Sequence, residues 1–422
     1  MNNHIGFCAT EILLPNFTRV DGTRWAVIAC DQFTSEPQYW EEAERLVGDA
    51  PSTLQMILPE LYLSESEARI GRINREMARI LREELISHPN AMVALCRTQS
   101  DGKLRRGIIG AIDLECYDYS KDSTSLIRAT EGTILERIPP RVAIRRDAPL
   151  ELPHVILFID DPEKTVIEPA LDSCSERAPL YDFDLMLGGG HVRSHLLNDA
   201  EKAKITEALA ALISPESMER RYGDATLAPL LFAVGDGNHS LASAKAIYED
   251  VKSRLGLEAA KDHPARYALV EVVNVRDEIL EFEPIYRAVF GCDPAALLRE
   301  LKESVSQLNG AAAPQTITCI TATEETTFTV EHPIHQLTVG TLQGFLSDYS
   351  ERHPEITVDY IHGEESLRAL ANKENMVCFL FEGMHKDEFF PAVMRDGALP
   401  RKTFSMSHAR DKRYYLECRK IQ

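Results

Sequence analysis

The run Pro229-Leu-Leu-Phe-Ala-Val234 is continuously apolar. It is followed by Gly235-Asp-Gly-Asn-His-Ser240, and then by Leu241, Ala244, Tyr248, Val251 and Leu255 at three- and four-residue intervals. A run without polar alternation reads as a buried strand, and the spacing after it reads as one face of a helix. Strand, polar loop and helix in that order are the unit of a layered α/β fold, so the chain is expected to be α/β with mixed α+β sheets.

Other segments fit this class. Trp25-Ala-Val-Ile-Ala-Cys30, after Asp21-Gly22, predicts a short buried strand that ends at Asp31. From Ser64 onward, Ser64 and Glu67 stand at capping-box spacing, and Ile70, Ile73, Met77, Ile80 and Leu85 predict a long amphipathic helix. The runs 91–96 and 106–113 flank Asp101-Gly102, a hairpin signal. His154 to Ile159 reads as another strand, and Asn198 to Ser214 as a helix stopped by Pro215. Tyr267 to Val275 and Ile279 to Phe290 read as a strand pair. After Gly291 a second alternation begins: a helix at 295–308, strands at 316–321 and 327–330, a helix near 341–350, and strands at 357–361 and 376–381.

A length of 422 residues, 44% of them hydrophobic, allows two domains at the usual scale of roughly 150 residues each. A soft boundary falls near residue 291, without a visible linker. Lys and Arg total 46 against 66 Asp and Glu, a net charge of -20 that opposes a nucleic acid or an anionic membrane as partner. A small phosphorylated ligand is compatible with that charge, because a few basic groups and backbone amides in one cleft outweigh a distant field. The nine cysteines are scattered, odd in number and without C-x-x-C spacing, as in a reducing compartment. No leader-like segment and no long apolar span is seen, so a cytoplasmic location is expected.

Five places carry residues suited to chemistry. At Gly235, Asp236, Gly237, Asn238, His239 and Ser240 the free amides of a helix start and its positive dipole end form an anion site. There His239 and Ser240 can donate, and Asp236 can hold a cation; a plain turn with an N-cap is the alternative. Gly188-Gly-Gly-His191-Val-Arg193-Ser-His195 places His191, Arg193 and His195 on one face if extended, a surface for an anion; if helical, His191 and His195 are metal-spaced. Arg128, Glu131 and the later Arg137, Arg141, Arg145 and Arg146 form the most basic stretch, either a phosphate-binding surface or a solvated, paired face. Pro400-Arg-Lys402-Thr-Phe-Ser-Met406 is a third basic cluster or a surface turn. Asp31, at a strand end, is a candidate base or a turn cap. The standard nucleotide and hydrolase signatures G-x-S-x-G, Walker loop, G-x-G-x-x-G after a strand and H-E-x-x-H are absent.

Together, Trp25 to Thr34, Arg128 to Arg137, Gly235 to Ser240, Asp359 to Gly363 and Leu399 to Met406 resemble the bacterial "domain of unknown function 1015" family over nearly the whole chain. That family is similar, through an Asp-Gly-x-His-Arg type loop, to the ParB and sulfiredoxin-like superfamily, in which the loop binds nucleotide phosphates and some members are free-serine kinases. Asp236, Gly237 and His239 match the loop, and Ser240 stands where Arg is usual. Pro284-Ile-Tyr286-Arg287 resembles a Pro-x-His-Arg element with Tyr in place of His.

The resemblance implies a ParB/sulfiredoxin-like core over 1–290 and a smaller α/β domain over 291–422, its tail a candidate to return to the site. The expected function is a phosphotransferase, acting on a small polar metabolite such as serine, with ATP, ADP or pyrophosphate as donor and Mg²⁺ as cofactor. In that scheme the loop and His239 hold phosphate, with His191 and Arg193 as further anion contacts. Arg128 and Lys402 neutralise charge, Asp31 or Glu131 activates the acceptor, and Asp236 touches the metal. A non-catalytic nucleotide sensor and a phosphate-ester hydrolase are the alternatives, and a homodimer is the assembly allowed for.

Overall fold

A strand buried on both faces has to lie inside a sheet that is covered on both sides. Leu104–Asp113 and Tyr267–Asn274, buried nearly end to end, are such strands. The structure, a computed structural model, describes residues 5–132, 138–152, 155–405 and 409–422, so Arg137, His154 and Met406 of the sequence reading lie outside the described residues. Two compact units divide the chain: residues 1–279 with 407–422, and residues 280–406.

In the first unit ten described strands form one mixed sheet. They are β1 (Phe7–Cys8), β2 (Val93–Thr98), β3 (Leu104–Asp113), β4 (Tyr117–Asp118), β5 (Ile127–Ala129), β6 (Ile156–Ile159), β7 (Tyr181–Asp184), β8 (His191–Leu196), β9 (Phe232–Asp236) and β10 (Tyr267–Asn274). Their order is β7-β8-β2-β3-β10-β6-β9-β5-β4, with β1 beside β3. β2 and β3 are the expected hairpin, turning at Gly102 with φ of +84°. β9 runs parallel to β5 and antiparallel to β6.

Alternate side chains of the same strands enter two apolar clusters, one on each face. Val93, Leu95 and Leu269 join Trp25, Trp40, Ile80 and Tyr414 on one side. Ala94, Ala268 and Val270 join Phe232, Leu209, Leu241 and Tyr248 on the other. Among the helices of this unit are α1 (Ser66–Glu83), α2 (Ile138–Arg146), α3 (Asp199–Leu212), α4 (Pro215–Tyr222) and α5 (Asn238–Leu255). α1 buries Ile73, Met77 and Ile80 as the spacing requires, but Ser64 lies in a 3₁₀ turn (Glu60–Glu65), so the expected capping box is not formed. α3 has a capping box, from Asn198 and Glu201. Pro215 not only ends α3 but opens α4 at its first position, where its missing N–H is no loss and Ser214 caps the turn.

The run 25–30 is buried but is not a strand of the sheet. A helical turn, Gly22–Trp25, leads into an extended piece that lies along the chain's last residues: Ala29 N donates to Arg413 O at 3.1 Å, and Tyr415 N to Val27 O at 2.8 Å. That tail is fastened by buried charge. Arg97, 1% exposed, donates to the carbonyls of Gly189 and Arg410 at 3.1 Å each, to Asp411 O at 3.0 Å, and to Lys412 O. Ser100 donates from N and Oγ to the Asp411 carboxylate at 2.8 and 2.9 Å. Arg105 grips both oxygens of Glu271 at 3.1 Å, and Arg413 reaches Glu271 at 3.3 Å and Glu417 at 2.7 Å.

The second unit holds a six-stranded antiparallel sheet among its described residues. Its strands are β11 (Glu283–Phe290), β12 (Gln315–Ile320), β13 (Glu325–Val330), β14 (Thr357–His362), β15 (Met376–Phe381) and β16 (Phe404–Ser405). The order is β13-β12-β15-β11-β14, with β16 beside β11. The expected pairing of 267–275 with 279–290 does not occur, because β10 and β11 belong to different sheets. α6 (Pro294–Ser306) and α7 (Thr338–Arg352) fall where periodicity places them, and α8 (Lys386–Asp396) carries Pro391 inside it. Among the described residues no helix is long and apolar enough to cross a membrane.

Burial alone would raise the Glu271 carboxyl, but the Arg105, Arg413 and Arg97 guanidiniums outweigh it and hold it below the usual carboxylate range. A depressed folded value contributes stability above the unfolded value of about 4.3, and that stability is lost as pH falls. Glu271→Gln leaves the buried Arg105 guanidinium without its carboxylate and Arg413 with Glu417 alone, and is expected to cost about 3–5 kcal/mol at pH 7. Urea unfolding checks this, and the gap from the unsubstituted protein should narrow below about pH 4.

Candidate functional site

The end of β9 is shaped by a ring below it. The register slips between Val234 and Asp236, and a Cβ on Gly235 would stand 2.4 Å from Phe158 Cε2. Gly235 is therefore required by Phe158. Gly237 follows in the left-handed region (φ 85°, ψ 23°), which glycine adopts without strain. Asn238 is already helical, so the six-residue loop expected from sequence is a single-residue link, and Asn238, His239 and Ser240 form the first turn of α5.

That turn has no side-chain cap hydrogen bond and no acidic residue of its own, and the carboxylate of Asp236 stands just before the helix. Asn238 Oδ1 is buried without a hydrogen-bond partner among the described residues. Asp236 Oδ1 accepts from Gly237 N at 2.9 Å, and Ser243 Oγ donates to His239 O at 2.7 Å, which steadies the turn. On the adjacent strand Thr130 Oγ1 donates to Val234 O at 2.6 Å, and so carries Glu131 past the same sheet end.

The charge at this end comes from the tail. Lys412 Nζ lies 3.3 Å from Asp236 Oδ2, its side chain 22% exposed. Asp236 raises the Lys412 pKa most, burial opposes, and Asp31 adds to the rise. The backbone around Lys412 is the part held by Arg97 and Ser100, so a buried cation positions a partly exposed one. Asp31 follows Cys30, whose N donates to Tyr415 Oη at 3.2 Å, and Gln32 Nε2 donates to Asp31 Oδ1 at 3.0 Å. Lys412 thus pairs with Asp236 and feels the charge of Asp31, next to a helix start that has no side-chain cap.

Other candidates are engaged elsewhere. Arg128, 3% exposed, donates to the carbonyls of Ser125, Ala228 and Pro229 at 2.8, 2.9 and 3.1 Å, where it steadies the chain entering β9, and burial pushes its pKa down to about 10. His191 and Arg193 do share a face of β8 with His195, so the helical metal alternative does not arise. Their partners are acidic: His191 meets Asp182 and Asp184 at 2.7 Å each, and Arg193 lies 3.6 Å from Asp182. Burial lowers the His191 pKa, but those two carboxylates outweigh it and raise the value. Gly189 and Gly190 are required by packing, since a Cβ would meet Tyr414 Oη at 2.3 Å and Thr98 O at 2.0 Å. Lys402 is in the second unit with φ of 57°, its carbonyl held by buried Arg287 at 3.0 Å. Among the described residues no three His, Cys, Asp or Glu side chains cluster to hold a metal by themselves.

Lys412 is absent from the sequence reading. Arg410-Asp-Lys-Arg413 is conspicuously charged just before apolar Tyr414-Tyr-Leu416, but nothing local to it says which strand end it meets.

Comparison with known proteins gives a family model described as "Protein of unknown function (DUF1015)", matching residues 15–420. No curated protein matches the chain. Among solved structures, a mutant free serine kinase in complex with AMP overlaps with a TM-score of 0.36 at 11% identity, covering 72% of this chain and 90% of that one. SbnI with a C-terminal truncation, from Staphylococcus aureus, gives 0.33 at 12%, covering 71% and 83%. A conserved hypothetical protein from Pyrococcus furiosus gives 0.27 at 17%, covering 51% and 88%.

A raised lysine pKa contributes stability that is complete below the unfolded value of about 10.4 and is lost as pH rises through the folded value. Lys412→Met should therefore lower stability by about 1 kcal/mol at pH 8, with the difference shrinking by pH 11. Denaturant titrations at the two pH values measure it.

Proposed function

The chain belongs to the DUF1015 family, and on that footing we propose that its first unit is a ParB/sulfiredoxin-like phosphotransferase core. It acts in the cytoplasm on a small hydroxyl-bearing metabolite, with free serine the first acceptor to test. The observation that carries the reading is Lys412 paired with Asp236, in the electrostatic field of Asp31, where α5 starts without a side-chain cap.

Phosphoryl transfer needs positioning and charge neutralisation more than covalent chemistry. The first-turn amides of α5 and His239 hold the donor phosphate, and Lys412 offsets charge that builds up during transfer. The acceptor hydroxyl oxygen bonds to the terminal phosphorus of ATP, ADP or pyrophosphate, and the bond to the donor's bridging oxygen breaks. Its proton passes to a carboxylate, Asp31 or, from the neighbouring strand, Glu131. Asp236 would hold a Mg²⁺ that arrives with the donor, since such ions are commonly held by one or two carboxylates plus phosphate oxygens, and the ion would neutralise further charge.

The engagement of Arg128 on backbone carbonyls favours a second reading, a nucleotide sensor without turnover. Incubation of the purified protein with Mg²⁺, each donor and a panel of amino acids and polyols separates them. Phosphoserine is the expected product, and Lys412→Met should reduce kcat about 10²–10³-fold while the protein stays folded. No phosphorylated product from any acceptor with any donor overturns the kinase reading. Calorimetric nucleotide binding without turnover assigns the sensor.

A further inference from the structure

Below the first turn of α5 is a cavity of about 140 Å³. Its lining includes residues tied to the candidate site: Ser240 is in the turn that starts α5, and Cys30 directly precedes Asp31. Its walls are apolar, with Met56, Leu63, Met77, Ile144, Leu241 and Ala244 among them. The charged residues in the lining are mutually paired, Glu60 with Arg141 and Arg145 with Glu151, so none of them needs a charged ligand. Ser243 is turned to its own helix backbone, and burial pushes the Cys30 thiol up to about 12, which keeps it neutral.

An apolar space of this size is a ligand-sized feature: an engineered cavity of about 150 Å³ takes up benzene. Its place within one helical turn of the anion-binding end brings the two within reach of one small molecule, as a turn rises only about 5.4 Å. We propose that this cavity is a subsite for a neutral, mainly apolar group of about one six-membered ring, carried by the molecule whose anionic end lies at the start of α5. The inference rests on the phosphate-site reading above and adds what the phosphate is attached to, or what stands beside it as acceptor. Free serine leaves the cavity unfilled; a ring-bearing hydroxy compound or a nucleobase fills it.

The test uses the full chain and measures calorimetric affinities for methyl phosphate and phenyl phosphate, with phenol as a neutral probe read by the shift in melting temperature. Phenyl phosphate should bind at least tenfold tighter than methyl phosphate, the factor that a single methylene reaches in a fitted apolar pocket. Ala244→Leu, which fills the cavity, should abolish that preference and leave methyl phosphate unaffected; if it does not fold, Ile144→Phe fills the space from another wall. Equal binding of the two esters overturns the subsite and leaves the phosphate site standing. If neither ester binds, the phosphate reading fails, and phenol decides the cavity: a stabilisation lost in Ala244→Leu upholds it, and no stabilisation overturns it. AMP separates the two sources: affinity reduced by Ala244→Leu places a nucleobase in the cavity, and affinity unchanged alongside the phenyl preference assigns the cavity to the acceptor.

Discussion

Two arginines and a glutamate inside the sheet hold the first unit's tail in place. Arg97 and Arg105 are on adjacent strands β2 and β3, Glu271 is on β10, and all three are nearly inaccessible to solvent. Buried charges carry a desolvation cost of several kcal/mol each and are tolerated only when nearly every donor and acceptor is used. Here the guanidiniums are used on carbonyls of residues 410–412 and on Glu271, and Arg413 closes the network from the tail side. The network therefore fixes where a backbone segment runs. Without it Asp236 would face the end of the sheet with no cation beside it.

The chemistry at that end follows from what each neighbour lacks. α5 begins without a capping side chain or an acidic residue in its first turn, and Asp236 stands immediately before it. Asp236 has one oxygen on Gly237 N and the other towards Lys412, which fixes its orientation. The cavity beneath adds shape to charge.

The parts legible in sequence are those whose signal is local. The apolar run into β9, the period of α5 and α1, the Asp101-Gly102 turn and the alternation of the second unit all depend on residues within about one element of each other. Residues 25–30 looked like a strand because they are apolar and buried, yet their partner is a segment some 385 positions away. Gly235 reads in sequence as room for a phosphate, and the structure adds a packing reason for it, the Phe158 ring that fills the place of a side chain. Arg128 looked like an anion contact and holds three carbonyls instead, because a guanidinium next to a buried strand satisfies backbone as readily as ligand. Lys412 was illegible because its role is assigned by Arg97 and Arg105 from β2 and β3. α8 was hidden by Pro391, a residue that normally argues against a helix.

The join between Ser100 and Asp411 spans 311 positions of sequence. Contacts of such separation form late, since chain entropy has to be given up before they return anything. A half-folded chain with its sheet assembled and its tail unattached would have the open helix start without its ammonium. A ligand that needs both would then discriminate between finished and unfinished copies, raising the population of the former by mass action in proportion to its concentration.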